Sequence, residues 1–252
     1  EYLHRLGLFS RVHFDDFFRV TIWMHTMTQP THKGHRQRLS GRFTHSRLTG
    51  FADHEILEFI LTFARPRVDT KPAAKELLKK FKSLSGVFDA QANDLILTPG
   101  IGERCALLLS LFKPVCLAYL NEGLRAKSLL DNPQAVVRYC RLDMAANGHE
   151  TVRVLYVDSR NYLICEKTVS LGSIDRAPVY PRRIIEEALL CHGAGFILAH
   201  NHPSGDVTPS REDRELTDRL GKIAKDMELS FLDHLIVSHK GYYSFKEHGL
   251  LK

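Results

Sequence analysis

Gly195-Phe196-Ile197-Leu198-Ala199-His200-Asn201-His202-Pro203-Ser204-Gly205 decides how this chain is read. Its first five residues form an apolar run with the character of a buried strand. Side chains alternate along a strand with period two, so His200 and His202 project to the same side. The Pro203-Ser204-Gly205 that follows imposes a turn. Further on stands Pro209-Ser210-Arg211-Glu212-Asp213, where Ser210 is suited to cap a helix and Asp213 sits one turn inside it, facing back towards the loop. Two imidazoles and a carboxylate converging on one point make three protein ligands for zinc, with a fourth position open to water. That is the layout of a catalytic zinc site, whereas structural sites are closed by four protein ligands, usually with cysteine. A lone His-x-His is more often a packed or surface pair. The metal reading rests on the joint pattern of strand, His-x-His, turn and helix-opening Ser-x-x-Asp. His-Asn-His is also the name of a nuclease motif, but there the three residues are dispersed over a hairpin and helix, so the adjacency here is coincidental.

A zinc-bound water needs a base that takes its proton and passes it to a leaving group. Glu150 is the candidate. It stands just before Thr151-Val152-Arg153-Val154-Leu155-Tyr156-Val157-Asp158, a strand pattern in which Val152, Val154 and Tyr156 alternate. Pairing of that strand beside Gly195–Asn201 would bring its end to the histidines. Composition alone would leave Glu150 an ordinary solvated residue. Asp233-His234 is a further polar pair inside the apolar pattern Leu229 to Val237. It reads either as a group that supports a zinc histidine, whose other N–H commonly goes to a carboxylate, or that faces substrate, or else as a hydrogen-bonded pair at a strand edge.

Glu150, then His200-x-His202, seven residues, Ser210-x-x-Asp213 resembles the pattern of the JAMM (MPN-plus, JAB) metalloproteases. The version with His-Asn-His-Pro-Ser-Gly-Asp, Pro-Ser-Arg-Glu-Asp and Leu232-Asp233-His234-Leu235-Ile236-Val237 is similar to the RadC branch of that family. Similarity continues through Val157-Asp158-Ser159-Arg160-Asn161 and Tyr180-Pro181-Arg182, and covers the chain from about residue 33 on. The resemblance implies one Zn2+ per chain on His200, His202 and Asp213, with Glu150 as general base. It makes Ser210 the donor to the oxyanion of a tetrahedral intermediate, a contact worth about 3–4 kcal/mol in the transition state. It also implies a C-terminal α/β sandwich of JAMM type, cytidine-deaminase-like. Two positions depart from the pattern: Tyr180 stands where histidine is common, and Arg183 where an acid is expected. Both lie outside the ligand set.

Composition bounds the rest. At 252 residues, 44% hydrophobic and 25% charged, the chain is long enough for two modest domains. No apolar run approaches the roughly 20 residues needed to span a bilayer, and the first thirty residues are too interrupted by charge for a secretion signal. Five cysteines with no Cys-x-x-Cys pair suit a reducing cytoplasm and no disulfide framework. A zinc deaminase would need His-x-Glu and Pro-Cys-x-x-Cys, and neither occurs.

All of the net charge of +6 belongs to residues 1–126, which hold 18 Lys and Arg against 12 Asp and Glu; residues 127–252 hold 17 of each. Lys33, Arg36, Arg38, Arg42 and Arg47 form the densest cluster, a phosphate-contacting stretch or simply a solvated helix face. Leu95-Ile96-Leu97-Thr98-Pro99-Gly100-Ile101-Gly102-Glu103-Arg104-Cys105-Ala106 has the hairpin of a helix-hairpin-helix motif. There Gly100 and Gly102 would let backbone approach a phosphate, with Arg104 beside them and the next helix offering free N–H groups. Glu103 would repel the phosphate.

The fold expected is therefore α+β. Residues 1–32 are an uncertain, disordered extension. Residues 33–123 form an all-α helix-hairpin-helix-like domain with helices over 53–64, 71–81, 85–90 and 103–119. Residues 124–133 are a linker and 134–252 the metal domain. Two functions stand side by side. One is a zinc hydrolase of amide or isopeptide bonds, its peptide or isopeptide substrate unknown, delivered to DNA by the N-terminal domain. The other is a DNA-repair-associated binding or scaffold factor whose metal domain is not a peptidase. The expected location is the cytoplasm, without membrane association.

Overall fold

The computed structural model describes residues 32–171 and 180–251, so the extension expected over residues 1–32 falls outside the described residues, His32 excepted. The described chain is α+β: helical up to Arg125, then built on a mixed five-stranded sheet. Two compact units form, one ending at Lys80 and including Thr98–Gly100, the other comprising Phe81–Leu97 and the chain from Ile101 on. These units divide the helices differently from the boundaries drawn above by secondary structure.

In the first unit, α1 (His32–Ser46), α2 (Asp53–Ala64) and α3 (Lys71–Phe81) bury Leu39, Leu57, Leu61, Ala73, Ala74 and Leu77. Glu55 starts α2 by accepting from the Ala52 N–H at 3.0 Å, half of a capping box, since Ala52 has no side-chain acceptor to complete it. The buried Glu58 lies 2.9 Å from His35 Nε2. Helix α1 is absent from the sequence-based list of helices because Leu39 is its one buried apolar residue, leaving no periodic stripe to read.

The second unit begins with α4 (Leu84–Asp89), α5 (Ala92–Ile96) and α6 (Glu103–Arg125). Helix α6 continues past 119, where the sequence reading ended it, and delivers Leu124 into the core beneath the sheet. A 3-10 turn at Leu129–Asp131 adds Leu129 to the same core, and the Leu129 N–H donates to Asn161 O at 2.9 Å. The stretch 124–133 is thus anchored at Leu124 and Leu129, while most of its other residues are exposed. Helix α6 also corrects the reading of apolar runs: by length and composition it is long and apolar enough to cross a membrane, with 17% of its apolar window buried.

After α7 (Pro133–Met144) come β1 (Thr151–Val157), β2 (Leu163–Leu171), α8 (Pro181–Leu190), β3 (Gly195–Asn201), α9 (Arg211–Asp226), β4 (Ser230–Val237) and β5 (Tyr242–Ser244). The sheet order is β2-β1-β3-β4-β5, antiparallel throughout except for the β3/β4 pair, which α9 connects. Every residue of β3 is buried. Gly195 opens that strand because a Cβ there would stand 2.6 Å from Ser230 O, too close for any other residue while β3 and β4 remain paired.

Period-two alternation gives the sheet two different faces. Leu155, Val157, Ile197, Ala199, Leu235 and Val237 pack with Val136, Val137 and Cys140 of α7. Val154, Tyr156, Phe196 and Leu198 pack with Ile184 and Ala188 of α8 and Leu220 and Ala224 of α9. Each fully buried leucine or valine contributes about 1.5–3 kcal/mol relative to exposure. The same alternation sends His200 and His234 to the α9 face and their neighbour Asp233 to the α7 face.

Candidate metal centre

The β1/β3 ladder fixes which residues meet. Val152 pairs with His200 in antiparallel register. Glu150 stands just ahead of β1, exposed, and close enough for its charge to act on His202. Asn201, between the histidines, points the other way and is fully buried. Its Oδ1 accepts from Thr151 N at 2.7 Å, while its Nδ2 donates to Asn147 O at 3.2 Å and His149 O at 3.1 Å. Asn201 therefore clamps the loop that ends at Glu150. Sequence reading gave it no role, although its place between two same-facing histidines already implied the opposite orientation.

Past His202 the chain turns at Gly205, whose φ of 87° favours glycine and where a Cβ would lie 2.6 Å from the His239 ring. The turn returns the chain to Ser210, the N-cap of α9. Ser210 Oγ accepts from Asp213 N at 3.1 Å, and Asp213 Oδ2 accepts from Ser210 N at 2.8 Å. This capping box, with aspartate in the glutamate position, holds the Asp213 carboxylate at the helix mouth.

His200, His202 and Asp213 converge, with ligand atoms all within 4.8 Å of one another. The two Nε2 atoms are 3.0 Å apart. His200 Nε2 lies 3.2 Å from Asp213 Oδ1, and His202 Nε2 lies 3.5 Å from Asp213 Oδ2. Donors about 2.0–2.1 Å from a tetrahedral zinc stand about 3.3–3.4 Å from one another; the separations here are of that size, with each histidine against a different oxygen of Asp213. His202 Nδ1 lies 2.7 Å from Asp206 O, a carbonyl that can only accept. His202 Nδ1 accordingly carries hydrogen, and in the neutral ring Nε2 presents its lone pair to the centre. Lone pairs and a carboxylate packed this closely need a cation among them, a proton or a metal ion. The three residues can hold a metal ion.

Electrostatics agree with that donor set. Burial pushes the Asp213 carboxyl up, but His200 and His202 in their protonated forms, with a hydrogen bond from Ser210, outweigh it and hold the group well below the ordinary carboxylate range. The Asp213 carboxylate raises His202 above the ordinary imidazole value against the opposing effect of burial, with smaller contributions from the Asp206 carbonyl and the charge of Glu150. His234, wholly buried behind His200, is held well below the imidazole range by burial and by His200. Its Nε2 is 2.9 Å from His200 Nδ1, and its Nδ1 is 2.7 Å from Thr217 Oγ1. Thr217 is the second residue the sequence reading missed; it sits one turn after Asp213 on the inner side of α9.

Asp233 and His234, adjacent in sequence, divide the two roles proposed for them. His234 faces the histidine pair. Asp233, on the other face, accepts from Ser244 Oγ at 2.6 Å, Lys246 N at 3.0 Å and His234 N at 2.7 Å, which ties the β4–β5 edge together. Ser210 lies at the rim of the centre with its hydroxyl 2.7 Å from Asp213 Oδ2. Tyr180 and Arg183 are exposed at the start of α8.

The residues considered for nucleic acid lie in the helical part. Lys33, Arg36, Arg38 and Arg42 are all on α1. Arg36 donates to Arg65 O at 2.9 Å and to Val68 O. Arg42 grips Glu55 at 2.7 and 3.2 Å, donates to Gly50 O, and lies over the Phe51 ring. Both are engaged within the fold, whereas Arg38 and Arg104 are exposed. Helices α5 and α6 flank the Gly100–Gly102 turn; Gly100 has φ 82° and its carbonyl accepts from Arg65, and Gly102 is the N-cap of α6.

A family model described as a RadC-like JAB domain matches residues 130–250. The chain is also 37% identical over 232 residues to UPF0758 protein FN0909 of Fusobacterium nucleatum subsp. nucleatum, a match that covers 89% of this chain and 100% of that protein. The JAB match spans the sheet, its helices and all three candidate ligands, and the longer match takes in the helical part as well. The chain therefore belongs to the RadC family.

Proposed function

We propose that the chain is a zinc-dependent hydrolase of amide or isopeptide bonds, with one Zn2+ per chain on His200, His202 and Asp213. The observation that carries this reading is the convergence of those donors, all within 4.8 Å of one another, with Glu150 near enough for its charge to act on His202. Bound zinc supplies a water of lowered pKa and polarises the scissile carbonyl. The chain's own residues do the rest. Glu150 takes the proton of the attacking water and hands it to the leaving nitrogen, so that amide and water become acid and amine. Asn201 keeps Glu150 in place through the loop it clamps. Ser210, whose hydroxyl donates to Asp213 Oδ2 at the rim of the centre, would turn to donate to the oxyanion of the tetrahedral intermediate.

Delivery to DNA through the exposed cations Arg38 and Arg104 completes the proposal, and the cytoplasm, suited to its five free cysteines, is the proposed location. The test is metal content beside hydrolysis. About one zinc per chain in the unmutated protein, lost in His202→Ala, and hydrolysis of a peptide or isopeptide library that disappears in Glu150→Gln with zinc retained support it. Stoichiometric zinc without hydrolysis of any library member would leave a binding or scaffold protein.

A further inference from the structure

The hydrogen bonds behind His200 run in one direction only. Thr217 Oγ1 lies 2.7 Å from the Asp213 carbonyl oxygen, which has no proton to give, so the single hydroxyl proton of Thr217 goes there. The same Oγ1 lies 2.7 Å from His234 Nδ1 and, its proton already used, must accept from that nitrogen. His234 Nδ1 therefore carries hydrogen. A neutral ring with hydrogen on Nδ1 has its lone pair on Nε2, and that atom lies 2.9 Å from His200 Nδ1. His200 Nδ1 must donate there, which leaves His200 Nε2 as the free lone pair, 3.0 Å from His202 Nε2.

From this chain of donors we infer that His234 is a positioning residue of the metal centre: it selects the tautomer of His200 that can ligate and holds the ring's aim. The inference rests on the metal reading above. His234 cannot turn away, because its ring is wholly buried and stacked on Phe245 at 4.7 Å and 14°. Thr217 is likewise buried and anchored to the backbone of Asp213, so one relay couples the ligand from β3 to the helix that carries the ligand from α9. Partners of this kind orient metal-binding histidines, and their loss typically weakens metal affinity about 10–100-fold. Here the partner is a neutral imidazole rather than the commoner carboxylate or carbonyl, so the ring is oriented without a further negative charge beside the ligands.

The first measurement is nitrogen-15 NMR of the histidine rings in the metal-free full chain. His234 should carry its proton on Nδ1 with Nε2 unprotonated. Protonation at Nε2 overturns the inference whether or not zinc binds. The second is zinc affinity by chelator competition, with the cobalt(II) absorption spectrum recorded beside it. His234→Phe keeps the stacking but removes the acceptor, and should bind zinc about 10–100-fold more weakly. His234→Gln, whose side-chain oxygen can accept from His200, should recover most of that loss. Affinity within twofold of the unmutated protein in His234→Phe overturns the inference. Should His234→Phe fail to fold, the ring spectrum of the unmutated protein still decides. An unmutated protein that binds no zinc defeats the metal reading, while the NMR result separately decides the direction of the relay.

Discussion

Val152 and His200 face each other across β1 and β3 at the end of that ladder, two residues from Glu150 on one strand and two from His202 on the other. The proposed base stands just ahead of β1, so its place depends on a loop rather than on the strand itself. Asn201 holds that loop with three hydrogen bonds from a fully buried side chain. Asn201→Leu keeps the volume but strands one buried N–H and two carbonyls, at about 1–3 kcal/mol for each group left unsatisfied. Zinc content should stay near one per chain while the hydrolytic rate falls at least tenfold, because the ligands remain and Glu150 drifts. Loss of zinc in step with the rate would show that Asn201 supports the ligands instead.

Much of this site was legible in the sequence because strand alternation is a strict rule. Two histidines at i and i+2 after an apolar run had to share a face, and Ser210-x-x-Asp213 announced its own helix start. Asn201, Thr217 and the facing of His234 were illegible, because each depends on the pairing partner across the sheet or helix and not on local pattern. Helix boundaries failed for a related reason. The helix expected over 103–119 continues to Arg125 as α6, and its last turn buries Leu124 beneath the sheet. Helix α1, with one buried apolar residue, had no periodicity to find.

Titration of the metal-free centre carries opposite signs for its two partners. Asp213, depressed in the fold, contributes stability that is present above its unfolded value near 3.9 and lost as pH falls through the folded value. His202, raised in the fold, contributes stability that is present below its unfolded value near 6.5 and lost as pH rises through the folded value. The metal-free protein should therefore exceed His202→Ala in Tm at pH 5.5, with the gap closing by pH 8.5. Zinc reverses the trend, since a ligating imidazole must be neutral, and zinc affinity should rise over the same interval. A Tm gap that widens with pH in the metal-free pair would contradict the assigned ion pair.

Gly195→Ala should be among the most damaging single changes in the sheet. The added Cβ would meet Ser230 O at 2.6 Å and Ser230 Cβ at 2.9 Å, where β3 and β4 begin to pair. Neither atom is the end of a flexible chain, so the strands must separate, at about 1–3 kcal/mol by analogy with overpacked cores. Because β3 carries both histidines, a drop in the urea midpoint should be accompanied by weaker zinc binding. A midpoint equal to that of the unmutated protein would mean that the two strands are looser at this end than described.

The basic cluster divides by what each cation already holds. Arg42 is tied to Glu55, whose carboxyl the Arg42 hydrogen bond brings down to about 2. Arg36 closes on the carbonyls of Arg65 and Val68. Removing either should act on the stability of the first unit, and the Arg42→Ala effect should be small because exposed ion pairs contribute at most about 1 kcal/mol. Arg38 and Arg104, both exposed, carry the proposed phosphate contacts. On duplex DNA, Arg38→Ala and Arg104→Ala should each lower the slope of log affinity against log salt by about one, with Tm unchanged. If DNA affinity and its salt slope stay as they were in the double variant, delivery to DNA does not run through these cations, and the hydrolase reading stands without it.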